Sequence, residues 1–290
     1  MADAFVCLRV RVRQRRDAER AVAEAWAAGA SGAEERDDGA GTTLLLLYAP
    51  APRADAVARA VGEALGARVA LEAPSAVPEI DWSARWRDGL EAVAISPRLA
   101  IRPSFVDFAP GPGQRVVVVD PGQAFGTGDH ASTRLALGLL DDLAAARPVG
   151  WSALDVGTGS GVLALAALRL GAGRAVGCDL DRAALAEART NAAVNGLARE
   201  LSLFAGTLDA LSSTPFDAVL ANLLRRELAP LVPGIASRVA RGGAAILSGL
   251  LVEERAEVES WLARAGLRVV RAREADDPAG DRWLGLTAAP

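Results

Sequence analysis

The segment with the clearest capacity for chemistry is the glycine-rich turn Asp155-Val156-Gly157-Thr158-Gly159-Ser160-Gly161. It follows an apolar run that predicts a strand and precedes an Ala- and Leu-rich run that predicts a helix. Glycine lets the backbone approach a ligand closely, and the first turn of a helix offers unpaired N–H groups. The turn therefore predicts binding of a nucleotide-type ligand, and a purely structural turn is the weaker alternative.

The spacing of this turn and the acidic residues around it narrow the class of ligand. The dinucleotide fingerprint G-x-G-x-x-G fails at its third glycine, which is Val162, and an acidic residue at the strand end favours the spacing used by S-adenosylmethionine (SAM) enzymes. Asp179 ends the next predicted strand, where an acidic side chain accepts hydrogen bonds from ribose hydroxyls. Asp181 directly precedes a helical run and is predicted to be its N-cap.

A third candidate group follows the segment Phe216-Asp217-Ala218-Val219-Leu220-Ala221. The segment predicts a strand, and it places the amide of Asn222 at the carboxyl edge of the sheet, where open α/β sheets bind ligands. Asn222 is predicted to face the reactive end of the cofactor; the alternative is an Asn that only turns the chain into the next helix. No Asn-Pro-Pro-Tyr motif follows, so nothing here suggests methylation of an amide or an exocyclic amine.

The loop from Asp120 to Arg134 contains three Gly, two Thr and the only His of the chain, His130. Exposed loops on rigid scaffolds often carry binding chemistry. The alternative is a turn-rich connection in which Ser132 or Thr133 caps the following helix.

The elements that position these residues follow an alternating pattern. From residue 151 onward, predicted strands (152–156, 174–179, 201–205, 216–221, 244–248, 267–272) alternate with predicted helices (161–170, 182–195, 223–240, 252–265). This alternation predicts an α/β fold with a Rossmann-like, mostly parallel, doubly wound sheet. The segment 283–287 is predicted to be an antiparallel edge strand, because the turn before it is too short for a crossover helix.

A smaller α/β (ferredoxin-like) unit is predicted at the N-terminus. Residues 5–12 alternate apolar residues with Arg, and further strands (43–49, 68–71) and helices (16–28, 53–66) follow. We predict a domain at 1–72, a linker and short helix at 73–92, and the main domain at 93–290. The linker contains Pro74 and Pro78, and the short helix, at about 81–90, carries Trp82 and Trp86. The main domain opens with strands at 98–102 and 115–119 and a helix at about 132–146.

Composition excludes several classes of function. The 290-residue chain has a net charge of −4 and a pI near 5.3, so it lacks the basic footprint of direct nucleic-acid binding. Cys7 and Cys178 form no C-x-x-C pair, so neither a metal site nor a disulfide framework is expected. No apolar run is long enough to span a membrane. We expect a cytoplasmic protein whose oligomeric state the sequence leaves open.

At the 120–134 loop the sequence resembles the PrmA family, the methyltransferases of the large-subunit ribosomal protein L11. The family pattern Pro-Gly-x-Ala-Phe-Gly-Thr-Gly-x-His-x-x-Thr is met from Pro121 to Thr133. The resemblance continues through the 155–161 turn, Asp179 and the segment 221–224. Two positions depart from the family: Asp129 stands where Thr usually precedes the His, and Ser132 replaces the first Thr of a pair.

The resemblance implies a class I SAM methyltransferase that modifies lysine or N-terminal amines of this ribosomal protein. It implies SAM contacts by Thr133, Gly157, Gly159, Asp179 and Asn222. Residues 1–72 would be the domain that recognises the substrate, joined by a flexible linker to the methyltransferase domain at 93–290.

Methyl transfer needs no covalent catalytic residue, because the cofactor carries the activated group. An amine nucleophile must first lose a proton, and His130 is a hypothetical base for that step. The open alternatives are a lysine methyltransferase of another protein, a small-molecule or RNA methyltransferase, and a non-catalytic protein that only binds SAM.

Overall fold

The computed structural model describes residues 5–37, 42–76, 90–120, 130–211, 214–278 and 280–290. The chain divides into two compact units, Met1–Gly89 and Leu90–Pro290. The predicted short helix at 81–90, with Trp82 and Trp86, lies outside the described residues except for Leu90, and so do residues 121–129 of the predicted binding loop. Over the described ranges, no helix combines the length and apolar character needed to cross a membrane.

The first unit is built around a small antiparallel sheet. Its elements are β1 (Phe5–Val12), α1 (Arg15–Ala27), β2 (Gly32–Asp37), β3 (Thr43–Pro50), α2 (Ala54–Leu65), β4 (Val69–Leu71) and β5 (Ser75–Ala76). The strand order is β2-β3-β1-β4, and β5 also pairs with β1. This βαββαβ arrangement is ferredoxin-like, as the sequence predicts.

The core of this unit shows which sequence signals were informative. Alternation along β1 buries Leu8 and Val10, and α2 buries Val57 and Val61 at helical spacing. Strand β2 was not predicted, because its residues Gly-Ala-Glu-Glu-Arg-Asp are poor strand formers. β2 lies at the edge of the sheet, where its backbone pairs with β3 and the side chains of Glu35 and Arg36 are exposed to solvent.

The second unit contains a seven-stranded sheet in the order β11-β10-β9-β12-β13-β15-β14. Its strands are β9 (Trp151–Val156), β10 (Ala172–Asp179), β11 (Leu201–Ala205), β12 (Phe216–Asn222), β13 (Val239–Leu251), β14 (Arg268–Asp276) and β15 (Arg282–Ala289). A separate three-stranded sheet is formed by β6 (Val93–Ser96), β7 (Leu99–Arg102) and β8 (Arg115–Val118). The helices are α3 (Ala131–Ala145), α4 (Val162–Arg169), α5 (Arg182–Val194), α6 (Arg225–Leu228), α7 (Val232–Ala236) and α8 (Arg255–Arg264).

The large sheet is covered on both faces, as a doubly wound fold requires. Along β12, Leu220 packs into one hydrophobic cluster while its neighbours Val219 and Ala221 pack into another. The two clusters contain residues of α3 and α4 on one face and of α7 and α8 on the other. The predicted α/β class and mostly parallel sheet are confirmed.

One predicted helix differs from the structure. The helix predicted over 223–240 is broken into α6, a short 3₁₀ turn at Ala229–Leu231, and α7, and β13 already begins at Val239. Pro230 and Pro233 explain the break, because proline has no N–H to donate and crowds the preceding helical turn. Strand β6 was also missed.

The final strand runs antiparallel to both neighbours, as predicted. Its predicted edge position is wrong, because β15 lies between β13 and β14. The burial of Leu284 and Leu286 fits this placement, since both side chains are fully covered between the neighbouring strands and the hydrophobic core. Strand β14, with sequence Arg-Val-Val-Arg-Ala-Arg-Glu-Ala-Asp, is more suited to the solvent-facing edge.

The buried side chain of Asn195 joins the small sheet to helix α5. Its Oδ1 accepts from the amide of Val118 at 2.9 Å, and its Nδ2 donates to the carbonyl of Val118 at 2.6 Å. We expect Asn195→Ala to reduce the free energy of unfolding by about 2 kcal/mol or more, because both backbone groups lose their partner. Urea titration followed by circular dichroism measures this change.

Thr190→Ala is the matched control for Asn195→Ala. Thr190 is on the same helix, is exposed, and donates from Oγ1 to the carbonyl of Ala186 at 3.1 Å. Its removal should change the unfolding free energy by less than about 0.5 kcal/mol. Equal midpoints for the two variants would contradict a special role of Asn195.

Candidate active site

A cavity of about 770 Å³ opens at the carboxyl ends of β9, β10 and β12. The glycine-rich turn, Asp179 and Asn222 all contribute to its lining. Three sites predicted from separate segments are therefore brought together, because parallel strands end at the same edge of a sheet.

The turn after β9 is shaped by glycines in the left-handed region. Gly157, Gly159 and Gly161 have φ values of 68°, 53° and 83°. A Cβ at Gly157 would lie 2.6 Å from Cδ2 of Leu223, so a side chain there would clash as well as strain the backbone. The turn ends where α4 begins at Val162, and its backbone faces the cavity at Gly157 and Gly159.

The carboxylate of Asp155 braces the turn from behind. Its Oδ2 accepts from the hydroxyl of Thr158 at 2.8 Å and from the amide of Ala164 at 3.1 Å. Oδ1 is buried and has no hydrogen-bond partner among the described residues. Burial raises the pKa of Asp155 to about 6, against the lowering effect of the two hydrogen bonds. Asp155 was part of the predicted turn, but its hydrogen bonds to Thr158 and Ala164 were not predicted.

Asp179 follows the strand next to the turn and lines the cavity. Its Oδ2 accepts from the amide of Gly159 at 2.9 Å, and its Oδ1 accepts from the amide of Asp181 at 3.0 Å. These bonds fix the carboxylate beside the turn and leave each oxygen with a further acceptor site. Asp181 caps α5 by accepting from the amide of Ala183 at 2.8 Å, which confirms its predicted role.

Asn222 and Thr133 are joined by a hydrogen bond from Nδ2 to Oγ1 at 3.1 Å. Thr133 is fully buried and stands behind Asn222, which itself lines the cavity. The carbonyl oxygen of the Asn222 side chain is buried without a partner among the described residues. A buried acceptor of this kind is costly to leave unpaired, so it is suited to a donor on a bound molecule.

A second contact holds the start of α3 against the sheet. Ser248 on β13 donates from its hydroxyl to the carbonyl of Ser132 at 2.8 Å. The carbonyl of Ser248 accepts from the amide of Leu223, next to Asn222, at 3.0 Å. Through Ser248, the sheet thus fixes the backbone on both sides of the Asn222–Thr133 pair.

His130 is the N-cap of α3, whereas the alternative considered from the sequence placed the cap at Ser132 or Thr133. Its Nδ1 accepts from the amide of Ser132 at 3.3 Å and lies 2.8 Å from the Ser132 hydroxyl. Its ring stands edge-on to Trp283, with centroids 4.6 Å apart, and both rings line the cavity. Because Nδ1 is engaged in capping, a base function would fall to Nε2.

Trp283 is a cavity residue that sequence reasoning placed only in a strand. Its indole N–H donates to Oδ2 of Asp277 at 2.9 Å. No local motif marks this tryptophan, because its proximity to His130 arises only when β15 is inserted beside β13.

Among the described residues, the ionisable ones that line the cavity are Cys178, Asp179, Asp181, Glu227 and His130. Along the described lining, no arginine offsets the three carboxylates. In the part of the chain that the structure describes, no group of three or more His, Cys, Asp or Glu is suited to hold a metal ion. The charge of the lining favours a cationic ligand.

Comparison with known proteins identifies relatives of this chain. Residues 27–283 match the family described as "Ribosomal protein L11 methyltransferase (PrmA)". A protein of that name from Syntrophotalea carbinolica is 40% identical over 245 residues, which cover 81% of this chain and 80% of the relative. One from Geobacter metallireducens is 44% identical over 191 residues, which cover 65% of this chain and 61% of the relative.

A solved structure is also similar. The ribosomal protein L11 methylase from Lactobacillus delbrueckii subsp. bulgaricus has a TM-score of 0.61 and 33% identity. The match covers 69% of this chain and 98% of that one.

The buried carboxyl of Asp155 predicts a specific pH dependence of stability. Its pKa rises from 3.8 to about 6 on folding, so the folded state binds the proton more tightly. Protonation of Asp155 therefore stabilises the folded state at a pH below the unfolded pKa. This contribution to the free energy of unfolding is lost as the pH rises through about 4 to 6. Relative to Asp155→Asn, the native protein should lose about 3 kcal/mol of unfolding free energy between acidic and neutral pH.

Asp217→Asn serves as a control of opposite sign. Burial opposes ionisation of Asp217, but hydrogen bonds from the amide and hydroxyl of Ser152, with help from Arg147, hold its pKa below the ordinary value. Its contribution to stability should be lost as the pH falls instead. Urea midpoints at several pH values measure both differences, and parallel curves for the native protein and Asp155→Asn would refute the assignment.

Proposed function

Because the chain belongs to the PrmA family of ribosomal protein L11 methyltransferases, we propose that it transfers methyl groups from SAM to lysine or N-terminal amines of ribosomal protein L11. The observation that carries the proposal is the convergence of the glycine-rich turn, Asp179 and the Asn222–Thr133 pair at one cavity.

The residues of the cavity fit the proposed cofactor. Asp179 is fixed beside the turn with acceptor sites for ribose hydroxyls. Gly157 and Gly159 leave room for close approach to the backbone. The unpartnered Oδ1 of Asn222 is an acceptor for the cofactor's α-amino group. We assign Thr133 the role of orienting this amide, since its hydroxyl accepts from Nδ2.

The charge of the site supports a cationic cofactor and an amine acceptor. SAM is a sulfonium cation that supplies an activated methyl group, and the described lining offers carboxylates without arginine. An RNA acceptor would bring phosphates into this field, which is unfavourable.

The protein's own contribution is to hold and desolvate the acceptor. A lysine amine has an unperturbed pKa of about 10.4 and an α-amine one of about 7.7 to 8.0. A water-poor site makes either amine easier to deprotonate, because desolvation disfavours the charged form. Leu223, Leu224 and Trp283 supply apolar lining around Asn222 and His130. Such a wall favours the neutral amine and can hold it in line with the methyl group.

We further propose that residues 1–72 recognise the substrate, that 73–92 are a linker, and that 93–290 carry the chemistry. Two features support this division. The first unit has its own hydrophobic core, which includes Leu8, Leu47 and Val57, and the boundary between the compact units falls after Gly89. The described residues that line the cavity all belong to the second unit.

The ribose assignment predicts that Asp179→Ala weakens SAM binding by about 1.5 to 3 kcal/mol, since a charged acceptor is lost. Isothermal titration calorimetry measures the change in Kd. Asp209→Ala is the control, because Asp209 is exposed and does not line the cavity. Equal affinity for Asp179→Ala and the native protein would eliminate the assignment.

The base hypothesis for His130 predicts that His130→Ala lowers kcat most between the ordinary pKa of an imidazole and that of an amine, where an imidazole can accept a proton and the acceptor amine still carries one. Ser132→Ala is the control for capping, because it removes the hydroxyl beside Nδ1 and retains the imidazole. Unchanged pH profiles for His130→Ala would show that the histidine only caps and packs.

The substrate proposal is tested by mass spectrometry of ribosomal protein L11 after incubation with the protein and SAM. We expect mass increases in multiples of one methyl group, and peptide mapping then locates the amines. SAM binding without any mass increase would exclude L11 and favour another protein substrate.

A further inference from the structure

Arg238, between α7 and β13, is a guanidinium buried in the second unit with 7% of its surface exposed. Its Nη2 donates to the carbonyls of Leu208 at 2.6 Å and Leu211 at 3.1 Å, and its Nη1 donates to the carbonyl of Gly234 at 3.0 Å. Arg238 therefore ties the segment after β11 to helix α7.

This arrangement is costly for a purely structural contact. The hydrogen-bond acceptors of Arg238 among the described residues are three carbonyls and the hydroxyl of Ser237, all of them neutral. Its Nε is buried and has no partner among those residues. A buried charge without a counterion is unfavourable, and an apolar side chain of similar size often fills such a position at lower cost.

The segment held by Arg238 forms one side of the cavity. We call Gly206, Thr207 and Leu208 the β11 wall; all three line the cavity, whereas Arg238 does not. The wall adjoins the ribose site, because the amide of Gly206 donates to the carbonyl of Asp179 at 3.0 Å.

Helix α7 packs closely against the same wall. A Cβ on Gly234 would lie 3.2 Å from Cδ1 of Leu208, tighter than an ordinary contact. Leu231, just before α7, also lines the cavity. Leu208 and Leu231 thus present apolar surface beside Asp179, and the bonds of Arg238 to Leu208 and Gly234 fix the segments that carry them.

We propose that Arg238 is a positioning residue that holds the β11 wall and thereby sets the slot for the purine ring of SAM. The inference rests on the proposed cofactor: if Asp179 binds the ribose, the attached base must lie next to it, and the β11 wall is the apolar surface there. Arg238 acts through the backbone carbonyls of Leu208 and Leu211 and does not touch the ligand.

Arg238→Met tests this proposal, because it retains an unbranched apolar stem and removes the guanidinium with all its side-chain donors. We expect the Kd and KM for SAM to rise about tenfold or more, equivalent to about 1.4 kcal/mol, with S-adenosylhomocysteine affected equally. The kcat at saturating SAM and the KM for the acceptor protein should stay within about twofold, since the acceptor side is untouched. Arg238→Lys is the milder variant and should give an intermediate loss.

Arg169→Met is the matched control. Arg169 donates from Nη2 to the carbonyl of Asn195 at 2.8 Å, has a buried Nε without a described partner, and does not line the cavity. We expect it to lower the thermal midpoint without changing the Kd for SAM.

The outcomes separate this proposal from the proposed function. An unchanged SAM affinity in Arg238→Met and Arg238→Lys, or an equal loss of affinity in Arg169→Met, would overturn the role of Arg238. Calorimetry with SAM alone needs no acceptor protein. Failure to methylate L11 would therefore contradict only the proposed substrate and not the role of Arg238.

Discussion

The site depends on the hydrogen bonds accepted by one buried carboxylate, that of Asp155, which lies behind the glycine-rich turn. Asp155 accepts from Thr158 and Ala164, and so connects the end of β9 to the start of α4 across the turn. Within the turn, the amide of Gly159 donates to the carboxylate of Asp179. Loss of Asp155 would remove these hydrogen bonds from the buried side of the turn. The amide of Gly159 would then no longer be held in place as the donor to Asp179.

The same carboxyl shows how the site combines function with a cost in stability. Burial raises the pKa of Asp155 to about 6, so at neutral pH the ionised form is held in a place that disfavours it. Arg238 presents the same situation with the opposite charge, buried among neutral acceptors. Both groups hold backbone segments that line the cavity and neither lines it. Buried ionic groups retained in this way support shape more than stability.

Local signals predicted most of the fold and the parts of the site that lie within one segment. The turn from Asp155 to Gly161 could be identified because strand, glycines and helix are consecutive, and Asp179 and Asn222 because each ends an apolar strand. Their convergence followed from the parallel sheet, in which these strand ends share an edge. The ferredoxin-like unit followed from alternation in β1 and from the continuous apolar run of β3, although β2 carried no usable pattern.

Features that arise from contacts distant in sequence could not be predicted. Trp283 reaches His130 only because β15 inserts between β13 and β14, and this pairing brings together residues that lie about 150 positions apart in the sequence. Arg238 lay inside a segment predicted as one long helix, so its bonds to Leu208 and Leu211 had no counterpart in the pattern. The two prolines at 230 and 233 were the available signal, since proline breaks a helix by steric necessity.

The two ends of the cavity are held by different hydrogen bonds. Asn222 is held by Thr133 and, through its neighbour Leu223, by Ser248, so the start of α3 and strand β13 control that end. The β11 wall is held by Arg238 and α7 on the other side of the sheet centre. Strands β9 and β10 lie between β12 and β11 in the strand order. Under the proposed function, binding of the adenosine moiety and orientation of the methyl acceptor therefore depend on different sets of hydrogen bonds.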